Sequence, residues 1–285
     1  MNGIIIINKP IGYTSRDVIN KLNKILGTKK IGHTGTLDPI ATGVLVVCIG
    51  SYTKLVSELT SLDKEYIATI KLGIETDTLD TDGTILKKEV PLMLEQERII
   101  EVLNSFKGKS IQETPKYSAV KINGKKLYEY ARNNEDIKLP KREIEVFDIS
   151  LISYHNNEIK FKVHVSKGTY IRSLIKDICS KLDVIGTMSS LQRIKQGNFN
   201  LNDSYTLEDI INNNYKLLKV ADIFTYPVIE LNKEEYLRVI NGNIVELNCI
   251  QPKVILTYNN EEIAIYKKDN DIYKCYIMLK KITNN

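Results

Sequence analysis

Gly32-His33-Thr34-Gly35-Thr36-Leu37-Asp38-Pro39-Ile40-Ala41-Thr42-Gly43, with the apolar run Val44 to Ile49 behind it, decides how this chain is read. Three glycines in twelve residues let the backbone reach positive φ and come close to a ligand. His33 and Asp38 are the only ionisable side chains in the stretch. Pro39 fixes its own φ and biases Asp38 towards an extended conformation, which aims the carboxylate and keeps it out of a helix. The run after Gly43 predicts a buried strand. One carboxylate held on a glycine-rich loop before a core strand is a way to present a nucleophile or a base. Asp-Pro is equally ordinary turn chemistry, so the dipeptide alone leaves both readings open.

Upstream, Gly3 to Asn8 predicts an apolar strand that ends in a turn at Lys9-Pro10-Ile11-Gly12. Thr14 to Asp17 has the spacing of a capping box, and Val18, Leu22, Ile25 and Leu26 then recur at helical intervals up to Gly27. Downstream, 51–62 and 95–106 predict helices, 64–74 a long strand and 116–122 another. Asp77 to Gly83 approximates a calcium loop counted from position 78. Thr78 stands where the first carboxylate belongs and β-type sequence flanks it, so it is read as an acidic turn. Gly124 to Arg132 predicts a short basic helix carrying Tyr128 and Tyr130. Strands over 142–153 and 158–166, a helix over 171–182, a β segment over 185–199 and a helical stretch over 206–213 follow. From Val228 a short helix over 233–240 and several strands form a small β-rich unit. Helices and strands intersperse without regular β-α-β alternation, which predicts an α+β fold with a mixed sheet. The expected division is 1–227 and 228–285.

With 285 residues, 42% hydrophobic and 26% charged, the composition is that of a globular protein. The longest apolar run, Val44 to Ile49, is far too short to span a bilayer. Met1 to Ile7 lacks a basic region and a cleavage site, so no signal peptide is expected. Cys48, Cys179, Cys249 and Cys275 are scattered without a Cys-x-x-Cys pair, which argues against a zinc site and for a reducing cytoplasm. The formal charge is +5, yet Val228 to Asn285 holds eight basic and eight acidic residues. All of the positive excess therefore lies before Val228, which suits a polyanion-binding face there, although many enzymes with neutral ligands are as basic.

Absences narrow the chemistry. No two glycines stand two positions apart and no G-x4-G-K-[ST] loop exists, which excludes the dinucleotide and P-loop fingerprints. His33, His155 and His164 form no H-x-x-x-H pair. Cofactor-free and metal-free chemistry with a carboxylate, or simple binding, is left.

Asn8-Lys9-Pro10 with Thr14-Ser15, then Gly32 to Gly43, resembles the TruB family of tRNA pseudouridine synthases. So do Lys64-Glu65-Tyr66, Asp77 to Gly83, Pro115 to Lys121, Gly124 to Arg132, and Ser166-Lys167-Gly168-Thr169-Tyr170-Ile171-Arg172. The match is ordered from about Gly3 to Gly197. It implies the pseudouridine-synthase fold, a mixed, largely antiparallel sheet with flanking helices around a basic cleft. It implies isomerisation of uridine 55 in the T-loop of tRNA, on a single chain without cofactor or metal. By this resemblance Asp38 is the catalytic carboxylate, whether it acts on the sugar, the base or a ribose proton. Breaking a glycosidic C–N bond builds positive charge on the ribose, which a carboxylate can attack or stabilise. Arg172 matches the arginine that orients the aspartate through a charge-assisted bond. Tyr66 matches the tyrosine stacked on the flipped uracil, Tyr170 a second substrate-contacting tyrosine, His33 a histidine that holds the T-loop, and Leu191 a uridine-pocket leucine. Lys9 matches a basic residue bracing the loop.

The family's Leu-Arg-Arg-Thr reads Leu191-Gln192-Arg193-Ile194 here, so one basic contact of the motif is missing while Leu191 and Arg193 are kept. The segment from Val228 does not clearly match the family's RNA-binding PUA domain and is read as a divergent PUA-like unit. Two alternatives are a non-catalytic RNA-binding protein and a guide-dependent pseudouridine synthase. The presence of Asp38 speaks against the first, and the absence of a fuller C-terminal domain and partner-binding extensions against the second.

Overall fold

Ile4 to Ile7 bury every side chain, and alternate residues enter different cores. Ile4 and Ile6 pack with Val44, Val46 and Cys48, whereas Ile5 and Ile7 join Leu45, Val47 and the helical residues Val18, Ile19 and Leu22. A strand covered on both faces reads as an unbroken apolar run, which is why these two segments show no alternation. They pair antiparallel, Ile5 opposite Val47.

The computed structural model describes residues 1–133 and 135–280. Its main sheet has nine strands. The principal order is Gly3–Lys9, Ala41–Ile49, Gly186–Gln196, Lys64–Leu72, Glu158–Val165, Lys141–His155 and Gly108–Glu113. Ile31–His33 adds to Ala41–Ile49, and Phe199–Asn200 to Gly186–Gln196. Only the pairing of Gly186–Gln196 with Ala41–Ile49 is parallel; the other neighbours run antiparallel. Helix Ile171–Leu182 lies on one face and shares a core with strand residues Ile70, Phe161 and Met188. The mixed, largely antiparallel sheet with flanking helices is the expected architecture.

Local signals hold where a hydrogen bond between near neighbours sets them. Thr14 and Asp17 form the reciprocal cap of helix Ser15–Ile25, with Thr14 N–H donating to Asp17 Oδ2 at 2.9 Å, and Gly27 leaves it at φ +63°. Three expectations need correction. The long strand stops at Leu72, because Gly73 turns at φ +81° where a Cβ would strike Glu89 and Pro91. Ile74–Thr76 instead pairs with Ile85–Lys88 across the acidic turn. The 116–122 segment is not a strand. Only Lys121–Ile122 pairs, with Lys125–Lys126, around Asn123 at φ +52° and Gly124 at φ +82°. That Asn-Gly is the signature of a two-residue hairpin turn, so the helix begins only at Leu127. The 51–62 helix is a 3₁₀ segment, Gly50–Leu55, running into Val56–Thr60.

Beyond Val228, strands Val228–Glu230, Lys253–Tyr258, Glu261–Asp269 and Ile272–Met278 form a second sheet, with helix Lys233–Ile240 against one face. The other face sends Ile255, Ile265, Ile277 and Leu279 into the core that holds Ile4, Val44 and Leu59. Glu262 accepts hydrogen bonds from Val220 N–H (2.9 Å), Ala221 N–H (2.8 Å) and the Tyr52 hydroxyl. The C-terminal β unit is thus seated on the main sheet by a shared apolar core.

Candidate active site

The loop between Ile31–His33 and Ala41–Ile49 carries Asp38, and its neighbours are fastened on both sides. Leu37 N–H donates to Ser15 Oγ (2.8 Å), and Gly12 N–H to Pro39 O (2.9 Å). Lys9, fully buried, donates from Nζ to Pro39 O (3.3 Å), Pro10 O (3.0 Å) and Tyr13 O (2.5 Å). Burial brings its ammonium down to about 8, although the Asp38 carboxylate opposes the shift. Asp-Pro does form the ordinary turn, Ala41 N–H closing onto Asp38 O at 3.0 Å, and the Asp38 side chain is left one-third exposed.

Arg172 meets that side chain. It is the second residue of helix Ile171–Leu182, and its guanidinium lies edge-on to the carboxylate, Nε 2.9 Å from Oδ2 and Nη2 3.1 Å from Oδ1. Its other donors reach Thr78 O (2.9 Å) and Tyr117 O (3.0 Å), and Nη1 lies 3.7 Å from Asp80 Oδ2. A buried arginine with this many fixed acceptors has one orientation, and so imposes one on Asp38. Asp80 was legible only as part of an acidic turn. It is buried, its Oδ1 accepts from Thr78 Oγ1 at 2.6 Å, and desolvation pushes its carboxyl up against the pull of Thr78 and Arg172. The turn is docked on strand Gly186–Gln196, where Thr81 N–H donates to Met188 O (3.0 Å) and Met188 N–H to Leu79 O (3.2 Å).

Tyr66 and Leu191 share one buried cluster with Leu37, Ile40 and Ala41, the residues flanking Asp38. Register explains this: Leu191 lies opposite both Ala41 and Ala68, and Tyr66 opposite Arg193. His33 begins the loop, its Nδ1 accepting from Gly35 N–H at 3.4 Å; burial, then Arg16 and Arg193, hold its imidazole below the usual range. Tyr170 caps the Arg172 helix. Gln112 clasps its backbone through two hydrogen bonds (2.8 and 3.0 Å), and the Arg142 guanidinium sits 5.1 Å from its ring centre. Arg193, the basic residue kept from the family's motif, has its side chain buried at 1% exposure. A cavity of about 870 Å³ lies beyond the wall made by Thr78 and Tyr117, and Asp38 does not line it. Among the described residues no group of His, Cys, Asp and Glu gathers as a metal site, and no helix is long and apolar enough to cross a membrane.

Residues 23–171 match the family model described as TruB family pseudouridylate synthase, N terminal domain. The chain is 43% identical over 281 residues to the tRNA pseudouridine synthase B of Mesoplasma florum, covering 96% of both proteins. It is 46% identical over 276 residues to that of Clostridium tetani, covering 95% of this chain and 94% of the relative. The fold resembles a chain in a solved H/ACA RNP bound to a substrate RNA containing 2′-deoxyuridine. That likeness has a TM-score of 0.70 at 23% identity and covers 98% of this chain and 85% of that one.

Proposed function

The chain belongs to the TruB family of pseudouridylate synthases, and on that premise we propose that it converts uridine 55 of the tRNA T-loop to pseudouridine, with Asp38 as the catalytic carboxylate. It is an isomerase acting on tRNA uridine. The observation that carries the site is the edge-on Arg172–Asp38 pair, because it leaves one carboxylate aimed and partly open in an otherwise closed loop. In the isomerisation the N1–C1′ bond breaks, the uracil turns, and C5 joins C1′ with loss of its proton while N1 gains one. Positive charge develops on the ribose as the first bond breaks, and Asp38 opposes it.

The uridine leaves its stack to reach this depth, at roughly a few kcal/mol, and an aromatic face returns about 1–3 kcal/mol per base. Tyr66 is the ring at hand, held with Leu191 beside the loop. His33 and Tyr170 contact the substrate, and Lys9 and Arg172 support the loop. Affinity comes from phosphates. Lys126, just before the basic helix, and Arg132, at its end, flank the Tyr128 ring at 5.2 and 5.5 Å, while Lys125 is already paired with Glu135 at 2.5 Å. The balanced charge beyond Val228 fits a PUA-like unit with a lesser electrostatic part, and four free cysteines fit a monomer working in a reducing cytoplasm.

The experiment is purified protein on unmodified tRNA, with pseudouridine read by position, beside Asp38→Asn. Wild type should modify position 55. Asp38→Asn should lose turnover and keep binding, because phosphate contacts carry affinity. Modification at another position, or substantial turnover by the variant, overturns the reading.

A further inference from the structure

Arg193 is among the largest fully buried side chains, yet its hydrogen bonds go to backbone carbonyls alone. Nε donates to Val44 O at 2.6 Å and Nη2 to Gly35 O at 3.1 Å. Gly35 and Val44 bracket the segment that carries Asp38, so one rigid fork ties its two ends together. The same strand grips the loop again at Gln196, whose Nε2 donates to Thr34 Oγ1 (2.7 Å) and Leu59 O (2.9 Å). The parallel register sets Arg193 opposite Gly43, and a Cβ on Gly43 would collide with the Arg193 carbonyl.

Burying a guanidinium without an anion is costly, and one that only filled space would be replaced by an apolar chain at less cost. Its two acceptors explain the cost: both carbonyls are drawn to one planar group, which fixes the separation of the loop's ends. We propose that Arg193 is a positioning residue that locks the loop in the conformation presenting Asp38 to Arg172, and that it touches no RNA. This rests on the function proposed above, so the test includes a readout that needs no activity.

Arg193→Met and Arg193→Lys are compared with wild type by hydrogen exchange of the RNA-free protein, by single-turnover rate at saturating tRNA, and by salt-dependent binding. In Arg193→Met the 33–43 amides should exchange at least tenfold faster while those of strand Lys141–His155 are unchanged. The single-turnover rate should fall a hundredfold or more, with affinity within about twofold and the salt slope unaltered. Arg193→Lys keeps a cation that reaches one carbonyl at a time and should recover about tenfold of the rate, leaving it still about tenfold or more below wild type. Unchanged exchange in the loop overturns the inference whether or not the wild-type chain makes pseudouridine, and inactive wild type overturns only the function. Weakened binding with a shallower salt slope and a normal saturated rate would make Arg193 a phosphate contact instead. Should Arg193→Met fail to fold, Arg193→Lys decides: exchange and rate both equal to wild type sink the lock.

Discussion

Asp38 and Arg172 meet through both carboxylate oxygens, at 2.9 and 3.1 Å, although 134 positions separate them in the chain. The guanidinium edge that faces Asp38 is free to do so because its remaining donors are taken by Thr78 O, Tyr117 O and the Asp80 side. A point cation cannot serve all of these at once. Arg172→Lys should therefore slow single turnover by roughly a hundredfold, about 3 kcal/mol, with little change in tRNA affinity. Rapid-quench kinetics at saturating tRNA checks this, and a normal rate would remove the pair from the chemistry.

Asp80 separates function from stability. Burial raises its carboxyl, so the folded chain binds that proton more tightly than the unfolded chain does. Its stabilising contribution is therefore present at low pH and is lost as pH rises. Asp80→Asn should be at least as stable as wild type at neutral pH, yet about tenfold or more slower, because the Nη1 side of Arg172 loses its anion. Urea titrations at acid and neutral pH, beside single-turnover rates, would contradict this if the variant were less stable and fully active.

Tyr66 is only 7% exposed, so its ring is part of the core, and the proposed stacking on a flipped base would use that same ring. Tyr66→Phe should bind nearly normally, and a lost rate would report on the hydroxyl. Tyr66→Ala should weaken the reactive complex by ~1–3 kcal/mol and destabilise the fold by about 3–5 kcal/mol. Binding below the variant's own melting range distinguishes the two losses; wild-type binding and turnover in the alanine variant would remove Tyr66 from the site.

Lys9 is a buried cation whose folded value of about 8 lies below the ordinary 10.5 of the unfolded chain. The unfolded state then holds more protons between these values, so stability rises with pH through that window. Relative to Lys9→Met, wild type should gain about 2 kcal/mol between pH 7 and 9.5. Paired denaturation curves measure the difference, in which the other titrating groups cancel. A flat difference would place the ammonium in water.

Gly43 sits at φ +96° against the Arg193 backbone. Gly43→Ala has both a forbidden dihedral and a collision with a carbonyl that the sheet holds in register, and should cost about 3 kcal/mol or more. Thermal unfolding with a loss of several degrees is expected, whereas Gly27→Ala, with open space around it, should lose much less.

The sequence by itself determined what rests on neighbours along the chain. The caps of Ser15–Ile25 and Lys233–Ile240 and the bounds of Ile171–Leu182 depend on hydrogen bonds and periodicity within a few residues. The two-faced burial of Gly3–Lys9 follows from its own apolar run. Asp38 stood out because its loop has few charged groups and much glycine. Asn123-Gly124 was legible too, as a hairpin turn, and would have corrected the 116–122 strand. Arg172 was matched to Asp38 through the family's motifs; only the tertiary structure decided which further distant groups hold the two in place. The parallel pairing of Gly186–Gln196 with Ala41–Ile49 puts Arg193 under the loop, and the docking of the acidic turn on the same strand brings Asp80 to Arg172. Neither has a local signal. An arginine and an aspartate read as solvated charges until the sheet register closes over them, and burial changes what their charge costs and what it can hold.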